Sequence, residues 1–472
     1  MIKVIIPYAL RSFTERNAEV EVDGKTAGEV INALADVYPA LKSHLFAEDG
    51  QLRNFINLFV DDKNINSLQG LDTPVPENGE VMIVPAIAGG SDDPGLTNDE
   101  IARYSRHLLL PEIGVEGQKK LKAAKVLIVG TGGLGAPLAL YLAAAGIGTI
   151  GLVDFDVVDE SNLQRQIIHS TRDVGRPKVA SAKDRIKGVN PLVNVIVHNT
   201  MLTSQNAMDI IAGYDIVADG TDNFPTRYLL NDACVFLGKP SIYGAVFQFE
   251  GQATVFCAKD GPCCRCLYPS PPPPGLVPSC AEGGVMGVLP GIIGTIQAAE
   301  TIKMIVGGAK PLVGRLLHFD AWRMAFRELK LAKDPNCPVC GSNPSIRELI
   351  DYEQFCGLKK TQGGEPIETI TAVDLKQRLD NGDQIQFIDI REPHERAIVK
   401  FPNAIVIPLG QLVRRMNELD SGIDSVFLCK IGLRSIDGIK ILREAGYKGR
   451  LLNLKDGLNA WARDVDQTMA VY

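Results

Sequence analysis

The chain has 472 residues, 45% hydrophobic and 22% charged, with aromatics at 6%, the profile of a soluble globular protein of roughly two to four domains. A formal net charge of −7 gives no global attraction for a phosphate backbone or an anionic membrane, so neither nucleic acid nor membrane is an expected partner and any anion site has to be local. The N-terminus lacks a basic segment followed by a long apolar core, and the uncharged run Val126 to Val153 holds seven glycines and Pro137, which suits a buried strand, helix, strand unit rather than a membrane span. With no export signal, the ten cysteines point to metal binding or catalysis in the cytoplasm rather than to disulfides.

Residues 1–90 read as strands ("KVIIPYAL", "AEVEVDG"), a helix ("TAGEVINALADVYPALKSHL") and further strands ("FINLFVDD", "EVMIVPAI"), a small α+β roll. Thr26 is placed to cap the helix, with Glu29 as its reciprocal partner. The last strand runs into Gly89 and Gly90, and a polar stretch, 91–97, reads as an exposed linker.

From 98 to 341 strands alternate with helices: "KVLIVG", "TIGLVDFD", "VNVIVHN", "DIVADGTDN", "PSIYGAVF" and "GQATVFC" imply a mainly parallel sheet with right-handed crossovers. "GGVMGVLPGIIGTIQAAETIKMIVGG" reads as a core helix, and Pro271 to Pro274 as an exposed extended segment. Gly130, Gly132, Gly133 and Gly135 form a Gly-x-Gly-x-x-Gly turn between the first strand and helix, and Asp154 ends the next strand. Such a turn aims helix N-terminal amides at a phosphate, and the acid can hold a ribose hydroxyl. The motif leaves the nucleotide open, and a nicotinamide-dependent oxidoreductase is the rival. Asn162, Arg165 and Lys178 supply polar and cationic groups, and Asp222 follows a strand end; together they suit a triphosphate with a divalent metal better than hydride transfer.

Cys263, Cys266, Cys337 and Cys340 are two Cys-x-x-Cys pairs, a four-thiolate set that suits a closed, structural tetrahedral Zn²⁺ site. Cys264 reads as a bystander, while Cys280 stands apart on a proline-led stretch. Residues 342–366 read as a mobile linker to a third alternating unit, 367–472, with strands "QFIDIRE", "AIVIPL", "SVFLCK" and "LLNLKDG". There Cys429 ends a strand and begins Cys-x-x-Gly-x-Arg-Ser. Loop amides around Gly432, with Lys430, Arg434 and a helix N-terminus, favour a thiolate, and Ser435 can add a hydroxyl donor. A phosphatase-type loop would share that cradle.

Several motifs carry resemblances. "RYSRHLLLPEIG", "GTGGLG", "LVDFDVVDESNLQRQ", "GRPKV", "GTDN" and "GPCCRCLYP" with "VPSCAEGGV" resemble MoeB and ThiF, bacterial relatives of ubiquitin-activating enzymes. The resemblance implies a Rossmann-like domain that adenylates the C-terminal glycine of a ubiquitin-like protein. Gly130 to Gly135 and Asp154 would hold ATP, Asn162, Arg165 and Lys178 clamp its phosphates, and Asp222 position Mg²⁺. Arg106 would reach the phosphates of the other subunit of a homodimer, and Cys280 is a reactive thiol in some members.

The loop at Cys429, with "IDIREPHERA" and "FPNAIVIPLGQL", resembles the single-domain rhodaneses, which makes Cys429 a persulfide carrier charged by a donor such as a cysteine desulfurase. Residues 1–90 resemble the MoaD, ThiS and CysO sulfur carriers, ubiquitin-like β-grasp folds ending in Gly-Gly. The expected whole is an α/β multidomain protein: β-grasp, Rossmann-like adenylating domain, rhodanese. Gly90 is followed by Ser91, so its carbonyl is an amide. Cleavage there by a deubiquitinase-like metalloprotease, use of separate carriers with the fused one as a docking module, and conjugation of the carrier to lysines are the alternatives, beside a scaffold without turnover.

Overall fold

Buried and half-buried residues alternate along Ile2–Ile5 (β1) and Ile56–Val60 (β3), the period-2 pattern of strands with one face on a core. They join Glu19–Val22 (β2), Lys63–Asn64 (β4) and Glu80–Pro85 (β5) in the order β2-β1-β5-β3-β4, with β1 parallel to β5 and the other pairs antiparallel. The helix Ala27–Val37 covers this sheet with Val30, Ile31 and Leu34, all buried. Its N-terminus differs from the expected reciprocal cap. Thr26 Oγ1 accepts from Glu29 N at 3.3 Å, but the Glu29 carboxylate accepts from Lys25 N at 2.7 Å, one residue earlier. The single helix expected to run to Leu45 is two, because Pro39 starts Pro39–Leu45 and holds Tyr38 out of helical geometry.

This computed structural model describes residues 1–47, 50–53, 56–85, 95–273, 283–357 and 366–472, in two units, Met1–Lys120 and Leu121–Tyr472. The first unit also contains the helix Asn98–Leu108, closed by a capping box between Thr97 and Glu100. Gly89 and Gly90, and with them the proposed cleavage point, lie outside the described residues, as does Cys280.

In the second unit, Lys125–Val129 (β6), Thr149–Val153 (β7), Asn194–His198 (β8), Ile216–Asp219 (β9) and Ser241–Phe247 (β10) are parallel. Glu250–Phe256 (β11), Arg315–Asp320 (β12) and Ala325–Lys330 (β13) continue the sheet antiparallel, in the order β13-β12-β11-β10-β9-β6-β7-β8. The chain winds from β6 outward to β8, then returns to β9 on the other side of β6. That reversal opens a crevice at the carboxyl ends of β6 and β9, where doubly wound sheets bind ligands. The expected core helix is Leu289–Val306; it packs so closely on the turn after β6 that a Cβ on Gly294 would lie 2.4 Å from Leu134 O.

The stretch expected as a linker behaves differently up to residue 357. The short helix Tyr352–Phe355 is docked: Tyr352 OH donates to Asp232 Oδ2 at 2.8 Å, and Asp232 also accepts from Arg265 Nε and Nη2 at 2.9 and 2.8 Å. The Arg265 guanidinium is fully buried, between the rings of Tyr228 and Phe355. Residues 358–365 lie outside the described residues.

Beyond them Glu368–Ile370 (β14), Ile385–Asp389 (β15), Ile405–Val406 (β16), Asp424–Leu428 (β17) and Leu451–Leu454 (β18) form a wholly parallel sheet, β14-β18-β17-β15-β16. Among the described residues no helix is long and apolar enough to cross a membrane.

Candidate functional site

At the switch between β6 and β9 the Gly130–Gly135 turn is forced by close backbone approach. Gly130 has φ +90°, and a Cβ there would sit 2.7 Å from Gly220 O; one on Gly135 would sit 1.9 Å from Gly130 O. The helix Gly135–Ala145 that follows has no side-chain cap, and its N-terminus faces the turn, with Ala136 N donating to Gly132 O at 2.9 Å. Asp154 braces the turn from β7: its Oδ2 accepts from Thr131 N and Oγ1 at 2.8 and 2.9 Å, and its Oδ1 from Asp156 N at 3.0 Å. Underneath, His169 Nε2 donates to Thr131 O at 3.2 Å, since a carbonyl only accepts, so Nδ1 accepts from Ser181 Oγ at 2.9 Å. Burial pushes the His169 pKa down, which keeps that neutral tautomer.

The turn opens onto a cavity of about 1020 Å³. Gly130, Gly132, Gly133, Asp154, Arg165, Lys178 and Asp222 line it. Lys178 is 6% exposed and its Nζ donates to Asp156 Oδ2 at 2.8 Å, so a phosphate entering here competes with one carboxylate for a desolvated cation. Arg165 Nη1 donates to Ser161 O at 3.2 Å. Asp222, three residues past the end of β9, is exposed. Two expected residues are not in the lining: Gly135 shapes the helix start, and Asn162 carries the turn whose carbonyl accepts from Arg165 N and Gln166 N at 3.1 and 2.9 Å. Arg106 lies on Asn98–Leu108 in the other unit.

Sequence reading passed over three residues here. Asp156 holds Lys178. Arg227, one turn into the helix Phe224–Leu237, lines the cavity with its guanidinium over the Tyr243 ring at 4.9 Å and Nη2 donating to Thr221 O at 2.9 Å. Gln166 lines it as well. The only local signal for Arg227 was its position four residues after the capping Asn223. Pro271 and Pro272, expected to be exposed, are half-buried in the cavity wall.

The four cysteines of the paired set converge, their Sγ atoms all within 4.8 Å of one another. Sγ separations are 3.5 Å for Cys263 and Cys337, 3.4 Å for Cys266 and Cys340, and 3.9 Å for Cys263 and Cys266. Zinc–sulfur bonds of about 2.3 Å at tetrahedral angles require about 3.8 Å, so the donor set fits zinc. Asp334 N donates to Cys266 Sγ at 3.4 Å, the outer-shell bond a metal thiolate attracts. Cys264 is buried, and Asn231 Oδ1 accepts from its backbone N at 2.6 Å.

In the C-terminal sheet Cys429 directly follows β17 and is 1% exposed. Gly432, at φ +85°, turns its amide back to donate to Cys429 Sγ at 3.1 Å; a Cβ there would lie 2.9 Å from Leu454 O. The helix Leu433–Glu444 starts without a side-chain cap, and Ser435 Oγ is buried with no hydrogen-bond partner among the described residues. The loop carbonyls are tied down by Leu458 N to Cys429 O at 2.9 Å and Asn459 N to Lys430 O at 3.1 Å. Lys430 Nζ lies over the Tyr472 ring at 5.1 Å. Arg434, expected to add its charge to the cradle, forks onto Glu395 at 2.7 and 2.5 Å. Burial opposes the Glu395 charge, yet the Arg434 guanidinium holds its pKa below the ordinary value.

Comparison with known proteins assigns these regions. The ThiS family matches residues 4–90, the ThiF family 104–339 and the Rhodanese-like domain 371–464. The probable adenylyltransferase/sulfurtransferase MoeZ of Mycobacterium tuberculosis is 48% identical over 385 residues, 80% of this chain and 96% of its own length. The adenylyltransferase and sulfurtransferase MOCS3 of Drosophila ananassae is 42% identical over 446 residues, 91% of this chain and 98% of its own. The sulfur carrier protein adenylyltransferase of Thermus thermophilus is 53% identical over 268 residues, 56% of this chain and 99% of its own. The chain belongs to the ThiF family and is an adenylyltransferase and sulfurtransferase, with a rhodanese-like domain after the adenylating one and a ThiS-family domain ahead of both.

Proposed function

We propose that the protein adenylates the C-terminal glycine of a ubiquitin-like sulfur carrier and converts it to a thiocarboxylate with sulfur carried on Cys429. The observation that supports this most is the convergence of the glycine turn, Arg165, Lys178 and Asp222 on one cavity. A carboxylate is a poor electrophile until one oxygen becomes a leaving group. Its attack on the α-phosphorus of ATP expels pyrophosphate and leaves a mixed anhydride. Arg165 and Lys178 balance charge on the phosphates, Asn162 orients the turn that carries Arg165, and Asp154 holds the ribose and the glycine turn. Arg106 reaches in from the partner subunit of a homodimer. Asp222 would hold Mg²⁺, which when bound would supply charge neutralisation at the leaving phosphates. Positioning is enough for this step.

The persulfide on Cys429, charged by a cysteine desulfurase or similar donor, then attacks the acyl carbonyl and displaces AMP, giving an acyl disulfide. Gly432 N and the uncapped helix N-terminus stabilise the anionic sulfur. A second thiol, Cys280 or an external one, attacks the Cys429 sulfur, forms a disulfide with it and releases the thiocarboxylate. Zn²⁺ on Cys263, Cys266, Cys337 and Cys340 is structural.

The fused carrier has no free carboxylate while Gly90 is joined to Ser91, so it becomes a substrate after cleavage at that bond. The test combines the full chain, ATP, Mg²⁺, labelled pyrophosphate and a fragment ending at Gly90. Label should enter ATP only with the fragment present, and mass spectrometry after addition of a sulfur donor should show one oxygen replaced by sulfur. Absence of exchange overturns adenylation; exchange with a carrier that ends up linked to lysines overturns sulfur transfer in favour of conjugation.

A further inference from the structure

Gln166 is a buried carboxamide with an unanswered end. It is 5% exposed, and its Oε1 is fully shielded with no hydrogen-bond partner among the described residues. Leaving such a group unpaired costs about 1–3 kcal/mol, a cost that leucine or methionine at this position would avoid. The backbone presenting it is fixed, with Gln166 N donating to Asn162 O at 2.9 Å and His169 N donating to Gln166 O at 3.1 Å. The side chain lines the cavity, and its Nε2 lies 3.5 Å from where a Cβ on Gly132 would be.

The glycines of the turn show why that space matters. A Cβ on Gly130, Gly133 or Gly135 would press on Gly220 O, Pro290 Cβ or Gly130 O at 2.7, 3.0 and 1.9 Å. A Cβ on Gly132 meets nothing closer than the Gln166 amide, at ordinary contact distance. Packing therefore does not demand a glycine at 132, and the room above it, bounded by Gln166, is room for a ligand.

We propose that Gln166 contacts the nucleotide: the end of its carboxamide that faces Gly132, Nε2, donates to a phosphoryl oxygen seated above that glycine. The inference rests on the adenylation reading. A neutral amide supplies a directed donor beside Arg165 and Lys178 without a further desolvated charge, whereas a carboxylate of the same shape would repel the phosphate.

The experiment compares the full wild-type chain with Gln166→Leu and Gln166→Glu, measuring ATP affinity with Mg²⁺ by calorimetry and thermal unfolding without nucleotide. The dissociation constant should rise about tenfold in Gln166→Leu, the worth of one good hydrogen bond, and further in Gln166→Glu. Without nucleotide Gln166→Leu should unfold at or above the wild-type temperature, because an unpaired buried amide has gone. Dissociation constants within twofold of wild type in both variants overturn the inference, as does a lower unfolding temperature with unchanged affinity, which marks a purely structural side chain. Wild-type protein that binds no ATP overturns the adenylation reading and this inference with it, a result distinct from wild-type binding that the variants share.

Discussion

The second unit contains two strand-to-helix turns built on the same backbone device. After β6, Gly130 at φ +90° leads into an uncapped helix; after β17, Gly432 at φ +85° does the same. The first opens onto a cavity of about 1020 Å³, the second curls around a sulfur atom on a residue 1% exposed. One turn is thus open to a diffusible anion, while in the other the Gly432 amide is spent on a side chain of the protein. The difference matches the proposed division of chemistry, in which the open turn positions reactants brought from outside and the closed turn supplies the sulfur nucleophile.

The largest expected effect separates the two. Cys429→Ser should lower thiocarboxylate formation by roughly a thousandfold or more while pyrophosphate exchange stays near wild type. Loss of both activities would show that the turns do not act independently. The glycines sharpen the contrast. Gly135→Ala places a methyl 1.9 Å from Gly130 O, so the turn must open; pyrophosphate exchange should fall about a hundredfold and stability by about 3 kcal/mol. Gly432→Ala meets Leu454 O at 2.9 Å with φ positive, a strain of about 1–2 kcal/mol, and should slow sulfur transfer alone. Chemical denaturation and the two activity assays read these separately.

Removing the metal should be asymmetric as well. Cys263 and Cys266 begin the segment that brings Tyr268, Pro271 and Pro272 to the cavity wall, and Tyr228 OH donates to Tyr268 O at 2.9 Å to hold it there. Cys340→Ser, or chelation, should cost pyrophosphate exchange about tenfold or more, while persulfide loading of Cys429, followed by cyanolysis, continues. Metal analysis should give one zinc per wild-type chain.

What was legible in the sequence was whatever local spacing encodes. The glycine turn, the paired cysteines and the Cys429 loop are each fixed within a few residues, and strands β6 to β11 follow from their apolar runs. What escaped depends on partners far along the chain. Polar residues 342–357 read as a linker, yet Tyr352 reaches Asp232, 120 positions away, and its hydroxyl completes a buried pair with Arg265. Arg434 read as a cation for the sulfur cradle, and nothing local records that Glu395, 39 positions away, pairs with it. Strand β13 carries exposed charges such as Arg327, Glu328 and Lys330, and β12 buries only Leu316 and Phe319, three residues apart, so neither has an alternating face to announce it. Arg227 and Gln166 drew no reading at all, because nothing local records that the β6–β9 crevice surrounds them.

The smallest effect concerns a brace on the open turn. Asp173 closes a capping box with Ser170, next to His169, and its Oδ1 accepts from Arg176 Nη1 at 2.5 Å. The Ser170 hydroxyl bond first, and then Arg176, lower the Asp173 pKa from 3.8 to about 2. Between those values the folded state binds fewer protons than the unfolded one, so this contribution is fully present above pH 3.8 and is lost as the pH falls through about 2. Asp173→Asn should lower stability by about 1 kcal/mol at neutral pH, the usual worth of a cap, and by progressively less as acid protonates the wild-type side chain. Because His169 holds Thr131 O, loosening this brace should weaken ATP affinity slightly and leave Cys429 reactivity unchanged; an equal effect at the closed turn would mean that the two turns share one support.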